Sequence, residues 1–187
     1  MKTCILMRHG ATDMAGRFCG DSDPSLNDAG RAQIECTASV MPTSPQVVYA
    51  SDLLRARESA ALIAEHFSVP LLVRPGLREI CFGEWEGLSW QEVKQRFPAE
   101  SAEWLERFPA GVIPSGERYD SFVERVKHET GFLRAQAQSH ALIAVTHGGF
   151  IRTALTEMYG ISSGEASQLS AEYGATVDLS RLYLGVV

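Results

Sequence analysis

Short apolar runs alternate with longer stretches of helical period along this chain, and that alternation restricts its fold more than any other feature. Residues 3–7, 47–50, 71–73 and 141–145 are apolar runs of five residues or fewer, the length of buried strands rather than of buried helices. A helix is expected from near Asp28 towards Val40, where Pro42 and Pro45 stop it. Another should follow Val47–Ala50 with Ser51 as its N-cap, its inner face made by Ala56, Ala60, Ile63, Ala64 and Phe67. One or two short helices are expected over residues 90–108. A long one should run from about Glu117 to Gln138 with Phe122, Val126 and Leu133 inwards, and another over residues 148–159. Two short β-rich runs fall between Tyr173 and Val187. Strands separated by helices pair in parallel, and such a sheet is covered on both faces. The expected architecture is a three-layer α/β/α sandwich with a mostly parallel central sheet, one domain over residues 1–187.

A sheet of this kind binds ligands beyond the carboxyl ends of its strands. Three segments carry polar groups to that edge: Arg8-His9-Gly10, the stretch from Ser51 to Arg57, and Thr146-His147-Gly148-Gly149. Residues distant in sequence are therefore expected to converge on one site. Gly10 permits a tight turn that would leave the His9 imidazole exposed at the strand end. Imidazole is largely unprotonated near neutral pH and is a competent nucleophile. A lone Arg-His-Gly fits equally well a histidine that merely ends a strand. His147 changes the balance, because it repeats the arrangement and its two following glycines open a helix whose N-terminal amides can take a phosphate. Arg8 and Arg55 add guanidinium forks, which bind phosphate oxygens through paired hydrogen bonds and stay ionised. Arg57 competes with Arg55, but two helical positions differ by about 200°, so only one can face the site. A proton donor for the leaving oxygen is sought in residues 78–87, where Glu79, Glu84 and Glu86 lie among glycines and aromatics. Spacing alone does not choose among the three.

Composition narrows the field by exclusion. A net charge of −6 has the wrong sign for general nucleic-acid binding. Cys4, Cys19, Cys36 and Cys81 show neither CxxC pairing nor zinc spacing, so a reduced, cytoplasmic protein is expected. The apolar start is too short for a signal-peptide core, and no run approaches the ~20 residues that span a bilayer. His66, His128 and His140 are scattered and expected at the surface. A metallohydrolase using His9 and His147 as ligands lacks the clustered carboxylates and spaced histidines it needs, so neither metal nor cofactor is expected.

Together these residues resemble the histidine phosphatase superfamily, also called the phosphoglycerate mutase-like fold. The resemblance is carried by Leu6-Met7-Arg8-His9-Gly10 with Thr12, and by Ser51-Asp52-Leu53-Leu54-Arg55-Ala56. It continues through Leu77-Arg78-Glu79 with Phe82-Gly83-Glu84-Trp85-Glu86-Gly87, and ends with Val145-Thr146-His147-Gly148-Gly149. Each element is weak alone, but four in order from residue 3 to about residue 160 are specific. The resemblance implies that His9 is the nucleophile, that Arg8, Arg55 and His147 hold the phosphoryl group, and that Glu79 is the proton donor. It further implies substrate contacts from Thr12, Gly20, Phe82 and Gly148, and a small phosphomonoester substrate handled without metal. Ala11 and Ala15 stand where the family usually has glutamate and asparagine, and Arg118 follows Gly116-Glu117 where serine is usual. None of these is among the five catalytic candidates, so the departures bear on substrate identity. Within the superfamily, the short length and residues 82–87 and 145–160 look most like the α-ribazole-5′-phosphate phosphatases of cobalamin nucleotide-loop assembly. Broad-specificity sugar-phosphate phosphatases are the alternative, with mutases weakened by the lack of a basic insert. A catalytically silent phosphate-binding module is disfavoured because His9 and Glu79 are both present.

Overall fold

The computed structural model describes residues 1–182. Five strands form one sheet: β1 (Cys4–Arg8), β2 (Val47–Ala50), β3 (Leu71–Val73), β4 (Leu142–Thr146) and β5 (Thr176–Asp178), in spatial order β3-β2-β4-β1-β5. Neighbours pair in parallel except β5, which runs antiparallel to β1. The helices are α1 (Asp28–Ser39), α2 (Leu54–Phe67), α3 (Trp90–Arg96), α4 (Pro98–Glu106), α5 (Tyr119–Gln136), α6 (Gly148–Tyr159) and α7 (Ser163–Leu169).

Successive strand residues point to opposite faces, which sorts the core in two. Ile5, Met7, Val48, Ala50, Ile143 and Val145 pack on Ile34 of α1 and on Ala56, Ala60 and Ile63 of α2. Cys4, Leu6, Val47, Tyr49, Leu142 and Ala144 pack on Phe122, Val126 and Leu133 of α5 and on Phe150, Ile151 and Ala154 of α6. A fully buried large apolar side chain contributes roughly 1.5–3 kcal/mol, so these two faces hold the sheet and its polar strand ends are free for other work. The expected three-layer sandwich is the one that forms.

One expectation needs correction, and one helix had no counterpart among the expectations. Ser51 does not cap α2; its hydroxyl accepts the Leu53 N–H at 3.3 Å, and the helix starts at Leu54 with Leu53 in the cap position. The short helix α7, begun by the Ser162 hydroxyl on the Glu165 N–H, was hidden by its serine- and glycine-rich sequence. One β-rich run of the tail is β5, and residues 183–187 lie outside the described residues. Among the described residues no helix is long and apolar enough to cross a membrane.

A third apolar cluster stands off the sheet. Trp85, Val93 and Ile113 are buried there, packed by Phe18, Phe82, Leu88, Trp90, Phe97 and Trp104. It joins α3 and α4 into a cap, which meets the carboxyl edge of the sheet through Phe18 and Phe82.

Candidate active site

The β1–β4 register sets His9 beside His147. Arg8 pairs with Thr146 across the ladder, and the His9 N–H donates to the Thr146 carbonyl at 3.0 Å. The next residues of both strands therefore leave the sheet together, with imidazole centroids 5.1 Å apart. The helix after β1 packs on one face of the sheet and the helix after β4 on the other, which opens a crevice between the two strand ends. On the far side of β4, the Ser51 N–H bonds the Val145 carbonyl at 3.0 Å, and α2 then delivers Arg55. The three sequence-distant ends meet as expected.

His9 is 7% exposed, so its ring is buried rather than open at the strand end. Gly10 matters here for close approach, not for an unusual turn: a Cβ would collide with the Gly30 carbonyl of α1, and its φ is not positive. His9 Nδ1 lies 2.7 Å from the Gly10 carbonyl. A carbonyl only accepts, so Nδ1 carries the proton and Nε2 keeps its lone pair. Burial, followed by the charge of Arg55, pushes the His9 pKa down to about 3. The neutral ring is therefore its resting form. His147 is fully buried, and burial with the neighbouring His9, Arg55 and Arg8 holds its pKa well below the ordinary value. Neither of its ring nitrogens has a protein partner among the described residues.

Arg55 is fully buried and Arg57 exposed, so helical phase separates the two arginines as the 200° offset requires. Arg55 donates to the carbonyls of Cys19 at 3.0 Å, Gly20 at 2.9 Å and Ser22 at 2.6 Å, fastening that loop to the site. Arg8 donates to the Ser170 and Ala171 carbonyls and stacks on Tyr173, with Cζ 4.1 Å from the ring centroid. Both guanidinium groups retain an unpartnered, buried Nε. Burial lowers the Arg8 pKa, but an arginine stays ionised.

The structure distinguishes the three acids by what they bind. Glu86 accepts from the amides of Gly20, Asp21, Ser22 and Phe82 and from the Ser22 hydroxyl at 2.6 Å. Burial pulls its carboxyl upward, but the Ser22 hydroxyl and these amides outweigh that and hold it below the usual range. It is a charged loop clamp. Glu84 is exposed and reaches only the Ser115 hydroxyl at 3.2 Å. Glu79 lines the cavity and accepts the Gly149 N–H at 2.8 Å. That bond also revises the role of the two glycines, because Glu79 already occupies an α6 amide expected to serve phosphate. A Cβ on Gly149 would run into the Glu79 carboxylate, whereas one on Gly148 would make ordinary contact with Arg8.

The cavity wall contains Arg8, His9, Thr12, Glu79, Phe82 and Gly148. Arg55 and His147 are buried outside that wall, and the Arg55 charge bears on both His9 and His147. Gly20 is not brought to the surface of the cavity; its N–H is spent on Glu86 at 3.0 Å, and Phe18 and Cys19 line the wall instead. Tyr173 and Arg152 also line the cavity and were not singled out by sequence. Arg152 lies five residues after His147, a spacing that carries no motif on its own. His66, His128 and His140 are exposed as expected. Among the described residues no group of three or more His, Cys, Asp or Glu side chains is placed to hold a metal ion. A second, apolar cavity adjoins the first and shares Phe82, Gly149 and Arg152 with it; its wall includes Ile80, Trp104, Phe108, Ile113 and Tyr119.

A histidine pair at parallel strand ends, with Arg55 buried and Arg8 partly buried beside it, makes a site suited to a phosphoryl group, and the family model agrees. The model of the histidine phosphatase superfamily (branch 1) matches residues 4–182, and the chain belongs to that superfamily. It is 32% identical over 154 residues to the metal-independent phosphoserine phosphatase of Arabidopsis thaliana, covering 79% of this chain and 65% of that protein. The chain thus spans a little under two thirds of that relative's length. It is 27% identical over 172 residues to the adenosylcobalamin/alpha-ribazole phosphatase of Salmonella typhimurium, covering 90% of this chain and 85% of that one. The alpha-ribazole phosphatase of Shigella flexneri superimposes with a TM-score of 0.82, over 98% of this chain and 94% of that one. At 22% identity that likeness bears on the fold alone.

Proposed function

We propose that this chain is a phosphomonoester hydrolase that works through a phosphohistidine on His9. The observation that carries the proposal is the Nδ1–H bond to the Gly10 carbonyl, which leaves Nε2 of a neutral ring free to attack. In the first step Nε2 bonds to phosphorus in line, the ester P–O bond breaks, and Glu79 gives its proton to the departing alcohol oxygen. In the second, water attacks phosphorus and loses a proton to Glu79, the P–N bond breaks, and phosphate leaves with His9 neutral again. Arg8, Arg55 and His147 stabilise the charge on the transferring oxygens, which is the largest contribution expected in phosphoryl transfer.

For the substrate, α-ribazole 5′-phosphate is the reading best supported. The Salmonella relative's name points to it, and the aromatic-walled cavity beside the phosphoryl site suits a flat, largely apolar benzimidazole. Phosphoserine, which the Arabidopsis relative's name suggests, would set an ammonium and a carboxylate against the same wall, at roughly several kcal/mol for each ion left unpaired. Arg152 and Glu157 are the wall residues that could offset this cost. Comparing kcat/KM for α-ribazole 5′-phosphate, phosphoserine and a set of sugar phosphates tests the choice. Preference for the first is expected. Preference for phosphoserine or a sugar phosphate would replace the substrate and leave the reaction class standing.

A further inference from the structure

We infer that Arg125 positions the proton donor, holding the backbone around Glu79 so that its carboxyl is aimed at the leaving oxygen. The inference rests on Glu79 acting as general acid. From Arg78 to Phe82 the chain has no helix or strand to fix its course, so side chains must do so. Thr146 holds the approach to this segment, its hydroxyl donating to the Leu77 carbonyl at 2.7 Å. Arg78 is tied to Asp52 by two bonds at 2.7 and 2.8 Å. Neither reaches the backbone of Glu79 itself.

Arg125 does. From α5 its Nη1 donates to the Gly76 carbonyl at 3.0 Å and the Arg78 carbonyl at 2.7 Å, and its Nη2 donates to the Glu79 carbonyl at 3.2 Å. Nε and Nη2 also donate to the two Glu117 carboxylate oxygens at 3.1 and 2.6 Å. These bonds occupy all five N–H groups of the guanidinium. The Glu117 N–H in turn donates to the Cys81 carbonyl at 3.0 Å. One ion pair therefore grips the segment on both sides of Glu79, from Gly76 to Cys81. Both partners are mostly buried, with side-chain exposures of 24% and 21%, so the pair is little loosened by solvent. Arg125 is absent from the wall of the phosphoryl cavity; besides the Glu79 segment only its charge bears on the site, at His147, and lysine keeps that charge.

Misplacing a catalytic group by about 1 Å can cost on the order of 10²-fold in rate. Lysine keeps the charge beside Glu117 but has three donors at one point, so it cannot span three carbonyls and a carboxylate. Arg125→Lys should therefore lower kcat/KM for an alkyl phosphate about 10- to 100-fold while leaving p-nitrophenyl phosphate within about 3-fold, since that substrate needs little protonation. Glu117→Gln, which keeps the carbonyl bonds and weakens their anchor, should give a smaller loss with the same selectivity. Added to Glu79→Gln, the Arg125→Lys change should cause no further selective loss, because both act on one proton transfer. Equal losses on the two substrates, no loss, or additivity with Glu79→Gln would overturn the clamp. If Glu79→Gln itself lacks the alkyl-selective defect, the acid assignment falls and the clamp falls with it. If Glu79→Gln shows that defect and Arg125→Lys does not, only the clamp falls.

Discussion

The two ends of the cavity are built by opposite means. At the phosphoryl end, strand register places His9 and His147, and buried groups surround them: Arg55 and His147 are fully buried. At the other end no strand of the sheet contributes: one side of the wall is Trp104 of the cap with Phe108 and Ile113 after it, Phe108 being 51% exposed, and the facing side comes from α5, α6 and α7. Positions set by a hydrogen-bonded ladder cannot shift without breaking the sheet, whereas an aromatic cluster can be repacked by substitution. The reaction is thus assigned to the rigid end and substrate choice to the adaptable one. At the first end, loss of the nucleophile should affect every substrate and loss of the acid should discriminate by leaving group, whereas variants at the second end should discriminate by the bulk of the alcohol.

The largest effect is expected at His9. His9→Ala should lower turnover of every phosphomonoester by about 10⁴-fold or more, as losses of nucleophiles do. Retained turnover on any of them would show that this end does not hold the nucleophile. Next comes Glu79→Gln, for which kcat/KM should fall on the order of 10²–10⁴-fold with an alkyl phosphate and far less with p-nitrophenyl phosphate. Glu84→Gln should be near wild type. Glu86→Gln should depress both substrates alike, because it loosens the loop amides rather than the acid. A selective alkyl defect at Glu84 or Glu86 would move the acid.

At the cap, Phe108→Ala removes a half-exposed ring from the apolar wall. It should raise KM for a bulky apolar ester about 5- to 10-fold, the scale of a partly buried aromatic, and leave methyl phosphate unchanged. A matching change with methyl phosphate would mean the two ends are not separable.

The smallest effect concerns stability. The folded pKa values of His9 and His147 lie below the usual value of about 6.5, so below that pH the unfolded chain binds more protons. Stability should therefore be full above about pH 6.5 and fall as pH drops towards the folded values, by about 1 kcal/mol per histidine at pH 5.5. Urea unfolding at pH 7.5 and 5.5 measures this, and His147→Asn should remove about half of the combined loss. An unchanged pH dependence in that variant would mean His147 does not stay neutral.

The same contrast governs what sequence could reveal. β1, β2, β4 and α6 announce themselves through apolar runs and glycines, and parallel pairing alone brings their ends together. Helical phase separates Arg55 from Arg57. The choice of Glu79 came only through resemblance, because the contacts that distinguish it from Glu86 join residues some 64 to 70 positions apart. Arg125 reaches back 46 to 49 residues to its carbonyls and left no periodic signal. Tyr173 beneath Arg8 and the burial of His9 were invisible for the same reason: both depend on which elements pack together. Gly20 matched a substrate-contacting position, yet its amide is occupied by Glu86.

Everything assigned to the rigid end turns on a covalent bond from phosphorus to His9. Enzyme mixed briefly with labelled phosphomonoester, quenched and digested should yield phosphate that is labile in acid, stable in base and carried by the peptide containing His9. His9→Ala should carry none. Label on a serine or cysteine, or label persisting in His9→Ala, would contradict the mechanism.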